Sequence, residues 1–328
     1  MRLPEFNYLE PKTMREACAL LARAQGCARI LAGGTDLIVA MKQRRQLPTA
    51  VINLKTVEGL DFIEEEQGYL RIGALTTLDK LVKADLVRQK APLLAQAAFE
   101  VGSPLLRTRG TLGGNLCLDT RCKFYNQSEF WRSSNPPCHK AGGQRCLVTN
   151  REKACYATYS GDTAPALIAL GARIVLSGEK EDRVIDLRDF YTMESKYPHI
   201  LSTRENEILS EVQVPIPGAG NRSVYLKYRR RKSIDFPEVG VAISLDFDGS
   251  ICRKGAIVLT GVGSGPLPVE ETNQILANQT LAENAISLAA EAAVRAAKPV
   301  KTGMLSPLYK RKLVADLVSE GLKSMMKS

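Results

Sequence analysis

Two glycine-rich turns of the same kind constrain the fold of this 328-residue chain more than any other feature of its sequence. The first, Ala32-Gly-Gly-Thr-Asp36, follows the strand-like stretch Ala28–Leu31, and the second is Thr111-Leu-Gly-Gly-Asn115. Adjacent glycines let backbone N–H groups approach a phosphate closely, and a helix that starts after the turn adds partial positive charge. Arg107 and Arg109 precede the second turn and would complement a diphosphate. The pair predicts one extended anionic ligand that bridges both turns, although two unrelated tight turns would give the same pattern.

The periodicity of apolar residues predicts an α+β protein. Strands alternate with helices in the N-terminal part, beginning with a βαβ unit over residues 28–54, whereas the C-terminal third shows alternating strands followed by two helices. The stretch Pro215–Asn221, with its proline and glycine residues, marks the expected boundary. We therefore expect a first domain over residues 1–217, divided into subdomains 1–55 and 56–217, and a C-terminal domain over 218–328 built from antiparallel sheet and helices.

Composition and charge favour a globular, cytoplasmic protein. The chain has 45 Lys and Arg against 35 Asp and Glu, a net charge of +10, and 45% hydrophobic residues, which is ordinary globular usage. Apolar runs fall short of the roughly 18 residues that a membrane span needs, and Pro4 and Glu5 stand where a signal peptide needs an apolar core. The densest basic run, Lys227–Lys232, lies on a strand-like segment without a recognition helix or zinc finger. We expect neither a membrane nor a nucleic-acid partner, and interpret this run as a solvated or partner-facing strand.

Five of the eight cysteines lie in an aperiodic segment, residues 116–159, where a loop of this length needs its own source of order. The five, from Cys117 to Cys155, are separated by four, fifteen, seven and eight residues, and this spacing lacks the close pairs that structural zinc sites usually use. Spread thiolates suit an iron–sulfur cluster, which needs four ligands and would leave one cysteine spare. Zinc and incidental thiols remain the alternatives. Because the chain has only two histidines and no nucleophile with a convincing base, we predict no catalytic residue.

The two glycine turns, followed by Asp162-Thr-Ala-Pro-Ala166 and the basic strand, resemble the FAD-binding subunit of the molybdenum hydroxylase family over nearly the whole chain. The resemblance implies a two-part PCMH-type FAD-binding domain followed by a CO dehydrogenase flavoprotein-type C-terminal domain. Ordinary members pass almost directly from the second turn to the aspartate, so residues 116–159 form an insertion. The resemblance also implies the residues that contact FAD, which are Ala32, Gly33, Gly34, Thr35, Asp36, Val101, Gly110, Thr111, Leu112, Gly113, Gly114, Asn115, Asp162 and Lys227.

The insertion itself, in Cys117–Arg132 and Cys155–Asp162, resembles the 4-hydroxybenzoyl-CoA reductase branch of that family, whose flavin subunit contains an extra [4Fe–4S] cluster. Position by position, the resemblance implies that the cluster ligands are Cys122, Cys138, Cys146 and Cys155, with Cys117 as the spare thiol.

The implied function is electron transfer by an oxidoreductase subunit. Electrons from a ferredoxin-like donor would pass through the [4Fe–4S] cluster and FAD to a small subunit with two [2Fe–2S] clusters and a large molybdenum subunit, in a heterotrimer that is expected to dimerise. That complex would reduce 4-hydroxybenzoyl-CoA to benzoyl-CoA. The alternative is the FAD subunit of another molybdenum hydroxylase, which oxidises an aldehyde, a purine or another heterocycle. The charge of +10 suits an acidic electron carrier.

Overall fold

The computed structural model describes residues 2–152, 154–191 and 206–326. Its helices and strands, in chain order, are β1 (Asn7–Leu9), α1 (Met14–Arg23), β2 (Ala28–Leu31), α2 (Leu37–Lys42), β3 (Ala50–Asn53), β4 (Ile63–Glu66), β5 (Tyr69–Gly73), α3 (Leu78–Lys83), α4 (Asp85–Lys90), α5 (Pro92–Phe99), α6 (Pro104–Arg107), α7 (Leu112–Leu116), α8 (Glu129–Ser133), α9 (Thr163–Ala169), β6 (Arg173–Ser177), β7 (Asp182–Asp186), β8 (Ile208–Pro215), β9 (Asn221–Tyr228), β10 (Val239–Asp248), β11 (Ile251–Thr260), β12 (Leu267–Pro268), α10 (Glu271–Leu276), β13 (Gln279–Thr280), α11 (Glu283–Ala296) and α12 (Pro307–Met326).

A small parallel sheet of order β1-β3-β2 forms the N-terminal part. Helix α1 begins at Thr13, whose hydroxyl accepts a hydrogen bond from the Glu16 backbone N–H at 3.1 Å, as an N-cap should. Strands β2 and β3 pair in parallel across α2, so the predicted βαβ unit is confirmed. Strand β1 is only three residues long, too short to show a period, and the sequence did not predict it.

The second sheet has the order β4-β5-β8-β6-β7, and all its neighbours are antiparallel. Helices α5 and α9 cover it over a core of fully buried side chains, among them Leu70, Ile72, Leu94, Leu167 and Val212. Strand β8 returns between β5 and β6 after a long excursion of the chain. This excursion contains the second glycine turn and the cysteine-rich segment.

The third sheet, β12-β11-β10-β9 with β13 beside β11, is antiparallel and packs against α11 and α12. Its core contains Val241, Ile243, Ala289 and Val314, which are all fully buried. The predicted α+β class, with antiparallel sheet and helices at the C-terminal end, is confirmed. Among the described residues, no helix is both long enough and apolar enough to cross a membrane.

The cysteine-rich segment is ordered by few regular elements, namely α8 and a 3₁₀ turn at His139–Ala141. Its two ends meet because Arg121 and Thr158 exchange a pair of backbone hydrogen bonds of 2.7 and 2.8 Å. The Lys123 backbone N–H donates to the Thr302 carbonyl at 2.8 Å, and the Thr158 and Thr302 hydroxyls lie 2.6 Å apart. The insertion is thereby attached to the C-terminal domain as well.

Candidate cofactor sites

The two glycine turns touch each other directly. A β-carbon added at Gly33 would lie 2.0 Å from the carbonyl oxygen of Arg109, which is impossibly close, so only glycine permits this approach. On the other side, a β-carbon at Gly110 would lie 3.8 Å from the Thr35 hydroxyl. Both turns therefore belong to one surface, as the binding of a single extended ligand requires.

Hydrogen bonds fix the second turn. The Thr111 hydroxyl accepts from the Gly114 N–H at 3.1 Å, and the Leu112 N–H donates to the Thr76 carbonyl at 2.9 Å. The Leu112 side chain is fully buried in the core, whereas Gly114 is exposed.

The structure corrects one expectation about these turns. Helix α2 starts after the first turn and is only six residues long, whereas the five-residue helix α7 contains the two glycines of the second turn. Aligned peptide dipoles accumulate over several turns of helix, so the predicted contribution of the helix N-termini is small. In the second turn, moreover, the backbone N–H groups of residues 112–115 all donate hydrogen bonds within the protein.

Asp162 lies at the centre of a buried polar network beside the second turn. Its carboxylate accepts hydrogen bonds from the Tyr225 hydroxyl at 2.7 Å and from the Lys227 ammonium at 3.0 Å. Burial raises the pKa of Asp162 to about 6 against the opposing effect of Lys227, and burial lowers the pKa of Lys227. The next residue, Thr163, donates its hydroxyl to the Asn115 side chain at 2.6 Å and so joins this network to the glycine turn.

The same network extends to Val101. Lys227 also donates to the Glu100 carbonyl at 2.8 Å, and Arg107 donates to the Val101 carbonyl at 3.1 Å. The Nε atom of Arg107 is buried and has no hydrogen-bond partner. A buried cationic donor of this kind, close to exposed turn backbone, fits an anionic dinucleotide such as FAD.

Contacts thus connect the first glycine turn to the second, and the second turn to Asp162 and to Lys227 on β9. Sequence reasoning did not single out Tyr225 as the partner of Asp162. One signal was present, because Tyr225 and Lys227 stand two residues apart on β9 and therefore face the same side.

The four cysteines predicted as cluster ligands line a single pocket in the insertion. Cys122, Cys138, Cys146 and Cys155 share this pocket with Tyr125, and Cys117 is not among its lining residues. All eight cysteines are free thiols. Among the residues that the structure describes, no three Cys, His, Asp or Glu side chains lie close enough together to hold a metal ion.

Backbone N–H groups surround the sulfur atoms of this pocket. Cys122 accepts from the N–H groups of Phe124 and Tyr125, and Cys155 accepts from that of Ala157, while burial raises the pKa of both thiols. Burial also acts on Cys146, but there the donors outweigh it and the pKa is lowered, the N–H groups coming from Val148, Thr149 and Tyr156. Donors of this kind stabilise thiolates, so the donor set fits an iron–sulfur cluster.

Cys117 lies apart, at the C-terminal end of α7. Solvent reaches this residue, yet the dense protein around its sulfur raises its pKa to about 12. A thiol with this pKa stays protonated at neutral pH.

An arginine connects the two candidate sites. Arg121, the residue before Cys122, lies 3.4 Å from the Asp36 carboxylate in the first glycine turn, and its guanidinium stacks over the Phe236 ring at 4.1 Å. Burial lowers the pKa of Arg121.

Residues 4–217 match the family described as the FAD binding domain in molybdopterin dehydrogenase, and residues 224–325 match the CO dehydrogenase flavoprotein C-terminal domain. The chain belongs to the FAD-binding subunits of the molybdopterin dehydrogenases. It is 34% identical to the FAD-binding subunit of aldehyde oxidoreductase from Escherichia coli over 81% of this chain and 84% of that one. It is 27% identical to the carbon monoxide dehydrogenase medium chain of Afipia carboxidovorans over 97% of this chain and 96% of the relative.

Solved structures agree with this assignment. Carbon monoxide dehydrogenase from Hydrogenophaga pseudoflava superposes with a TM-score of 0.82 at 27% identity, covering 98% of each chain. The resemblance to the flavin subunits of molybdenum hydroxylases is therefore confirmed, and the chain is an FAD-binding oxidoreductase subunit.

Proposed function

We propose that this FAD-binding subunit also contains a [4Fe–4S] cluster and transfers electrons within a molybdenum enzyme complex of the 4-hydroxybenzoyl-CoA reductase type. One observation supports the proposal above all others. Cys122, Cys138, Cys146 and Cys155 line one pocket and three of their sulfur atoms accept backbone hydrogen bonds, in a segment that also contacts the flavin turn through Arg121. When bound, the flavin would exchange electrons in ones or twos and the cluster in ones.

The side chains of this chain would bind and orient rather than react. The first glycine turn would hold the diphosphate by its backbone N–H groups, and the second turn, whose N–H groups from Leu112 to Asn115 already donate within the protein, would pack against it, with Arg107 as an additional cation. Asp162, Tyr225 and Lys227 would form a fixed polar wall beside the cofactor, because all three are buried and bonded to one another. The cysteine pocket would keep four thiolates in an ordered loop.

The partners follow from the same proposal. A large molybdenum subunit would perform the substrate chemistry, and a small subunit with two [2Fe–2S] clusters would connect it to this chain in a heterotrimer that dimerises. An acidic ferredoxin-like carrier would supply two electrons per turnover. These electrons and two protons convert 4-hydroxybenzoyl-CoA to benzoyl-CoA and water, so the C–O bond breaks and the ring hydroxyl leaves as water.

A second candidate function has support from the comparisons. The relatives named above are a carbon monoxide dehydrogenase chain and an aldehyde oxidoreductase subunit, and another, from Eubacterium barkeri, is a nicotinate dehydrogenase FAD-subunit. These names favour a complex that oxidises its substrate, such as an aldehyde or a heterocycle, with electrons leaving through FAD. The flavin surface described above serves this function equally well, whereas the cysteine pocket has no part in it.

Iron analysis of the anaerobically purified chain separates the two candidates. We expect about four irons per FAD and a broad iron–sulfur absorbance beneath the flavin bands. Cys146→Ser should lose the iron, and Cys117→Ser, the matched control, should retain it. An FAD-containing preparation without iron would refute the cluster and leave the second candidate. Assay of the intact complex with reduced carrier and the CoA thioester then tests the substrate.

A further inference from the structure

Helix α2 starts at the first glycine turn, and the cysteine-rich segment holds its other end. The guanidinium of Arg132 donates to the carbonyls of Gln43 at 3.2 Å and Arg44 at 2.9 Å, just beyond the last turn of α2. It also donates to the Gln127 carbonyl at 2.6 Å. Arg44 has a positive φ of 56°, so the chain turns away here and leaves these carbonyls without helical partners. One side chain therefore connects the segment to the end of this helix.

Tyr125 makes a parallel connection. Its hydroxyl donates to the Arg45 carbonyl at 3.2 Å, and its ring lies 5.8 Å from the Arg45 guanidinium. Tyr125 is also part of the cysteine pocket, and its backbone N–H donates to the Cys122 carbonyl at 3.0 Å. Tyr125 thus connects the cysteine pocket to the C-terminal end of α2.

The opposite end of α2 faces the same segment. Asp36 occupies the N-cap position but makes no capping hydrogen bond, and its carboxylate instead faces Arg121. Since Arg121 and Arg132 belong to one segment, both ends of the helix depend on how that segment is ordered.

The segment has little apolar burial of its own. Among the described residues from 121 to 157, the buried apolar side chains are Tyr125, Cys146 and Ala157, and all three line the cysteine pocket. A loop with so small a core is ordered largely by what its ligands bind, as in small metal-dependent domains.

We infer that Arg132 is a positioning residue through which occupancy of the cysteine pocket sets the affinity of the flavin site. An iron-loaded segment holds α2, and with it the first glycine turn, in the FAD-binding arrangement. An iron-free segment releases that hold. Because coupling between two sites is reciprocal, bound FAD also strengthens the binding of iron. The inference rests on the proposed [4Fe–4S] cluster.

The test measures FAD binding to the full chain under anaerobic conditions. Protein freed of FAD is divided into iron-loaded and chelator-stripped samples, and each is titrated with FAD by flavin fluorescence. We expect the Kd for FAD to rise about tenfold on removal of iron, within the usual range of coupling between sites. The reciprocal measurement, the equilibrium partition of iron between the protein and a competing chelator with and without FAD, should show the same factor.

Arg132→Ala should bind FAD weakly in both states, with iron-dependence lost, and Arg132→Lys should restore part of it, because an ammonium can still reach one or two carbonyls. Arg145→Ala is the matched control, since Arg145 belongs to the same segment but its exposed side chain pairs with Glu152 at 3.6 Å, away from α2. This control should keep the full iron-dependence.

Equal FAD affinity of loaded and stripped wild-type protein would overturn the inference while leaving the cluster in place. Iron-dependence that survives in Arg132→Ala would overturn the role of Arg132. If Arg132→Ala does not fold, the FAD affinities of iron-loaded and stripped Arg132→Lys are compared instead. An iron-dependence as large as that of wild type would then overturn the role of Arg132. Absence of iron from every anaerobic preparation would refute the proposed cluster and the inference with it, and the iron assay identifies that case.

Discussion

Gly33 shows how the absence of one side chain brings two parts of the chain together. We expect Gly33→Ala to force the first turn away from the Arg109 carbonyl, because the new β-carbon would lie 2.0 Å from that oxygen. FAD binding should weaken by about tenfold or more, and the free energy of unfolding should fall by about 1–3 kcal/mol. Flavin content after gel filtration and a denaturant titration measure both effects.

Gly218→Ala is the control, because a β-carbon at Gly218 would have no neighbour within 4 Å. An unchanged flavin content in Gly33→Ala would show that contact between the turns is not needed for binding.

Asp162 should make the stability of the FAD-free protein depend on pH. Its pKa is raised from the ordinary 3.8 to about 6 by burial, so the folded chain binds this proton more tightly than the unfolded chain does. Raising the pH from 4 to 6 therefore lowers the contribution of Asp162 to the free energy of unfolding, by at most about 3 kcal/mol at 1.36 kcal/mol per pKa unit.

The measurement compares the free energy of unfolding of wild type with that of Asp162→Asn between pH 4 and 6. The titration of groups that both proteins share cancels in this difference. A difference that stays constant from pH 4 to 7 would contradict the raised pKa.

The positions of individual site residues could be predicted only in part. Both glycine turns stand out because adjacent glycines between a strand and a helix are rare without a close approach to explain them. The partnership of Asp162 with Tyr225 could not be predicted, since the two lie 63 positions apart and meet only in the folded chain. The grouping of the four cysteines likewise depends on the path of an irregular loop, which no periodicity encodes.

At the level of elements, helix α12 is attached to the third sheet by a buried lysine. The Lys310 ammonium pairs with Glu238 at 3.1 Å and donates to the Gly261 carbonyl at 3.0 Å, and its side chain is only 4% exposed. We expect Lys310→Ala to lower the free energy of unfolding by about 2–3 kcal/mol, because Glu238 and the carbonyl lose their partner. Lys312→Ala, on the exposed face of the same helix, should change it by less than about 0.5 kcal/mol. Thermal unfolding that is equal for both variants would contradict this role.

Elements with a clear period or cap could be predicted, and short ones could not. Helix α1 has a capping residue, and helix α11 has buried alanines at helical spacing, so both follow from local sequence. The order of strands in the second sheet does not, because β8 pairs with β5 and β6 across a long excursion of the chain. The pairing of β8 with β5 and β6 depends on the folding of the whole sheet, and the sequence of a single segment does not encode it.

For the whole molecule, the charge of +10 should matter for the approach of an electron carrier. The exposed Phe130, with 85% of its surface accessible on helix α8 of the cysteine segment, offers an apolar contact close to the proposed cluster. We expect the rate of reduction by a reduced acidic ferredoxin to fall about tenfold or more between low and high ionic strength, as steered association does. Stopped-flow spectroscopy of the flavin bands measures this rate. A small uncharged reductant is the control, and a salt-independent rate with the ferredoxin would contradict electrostatic docking.

The paired backbone hydrogen bonds between Arg121 and Thr158 have a consequence for the evolution of this chain. A loop that leaves and re-enters its host at neighbouring points can be acquired or discarded with little rearrangement of the surrounding framework, as tolerated insertions generally are. A gene for an ordinary flavoprotein could thus have gained the cysteine-rich segment in a single event. Side chains of this segment that later came to contact helix α2 would then have made the segment difficult to remove.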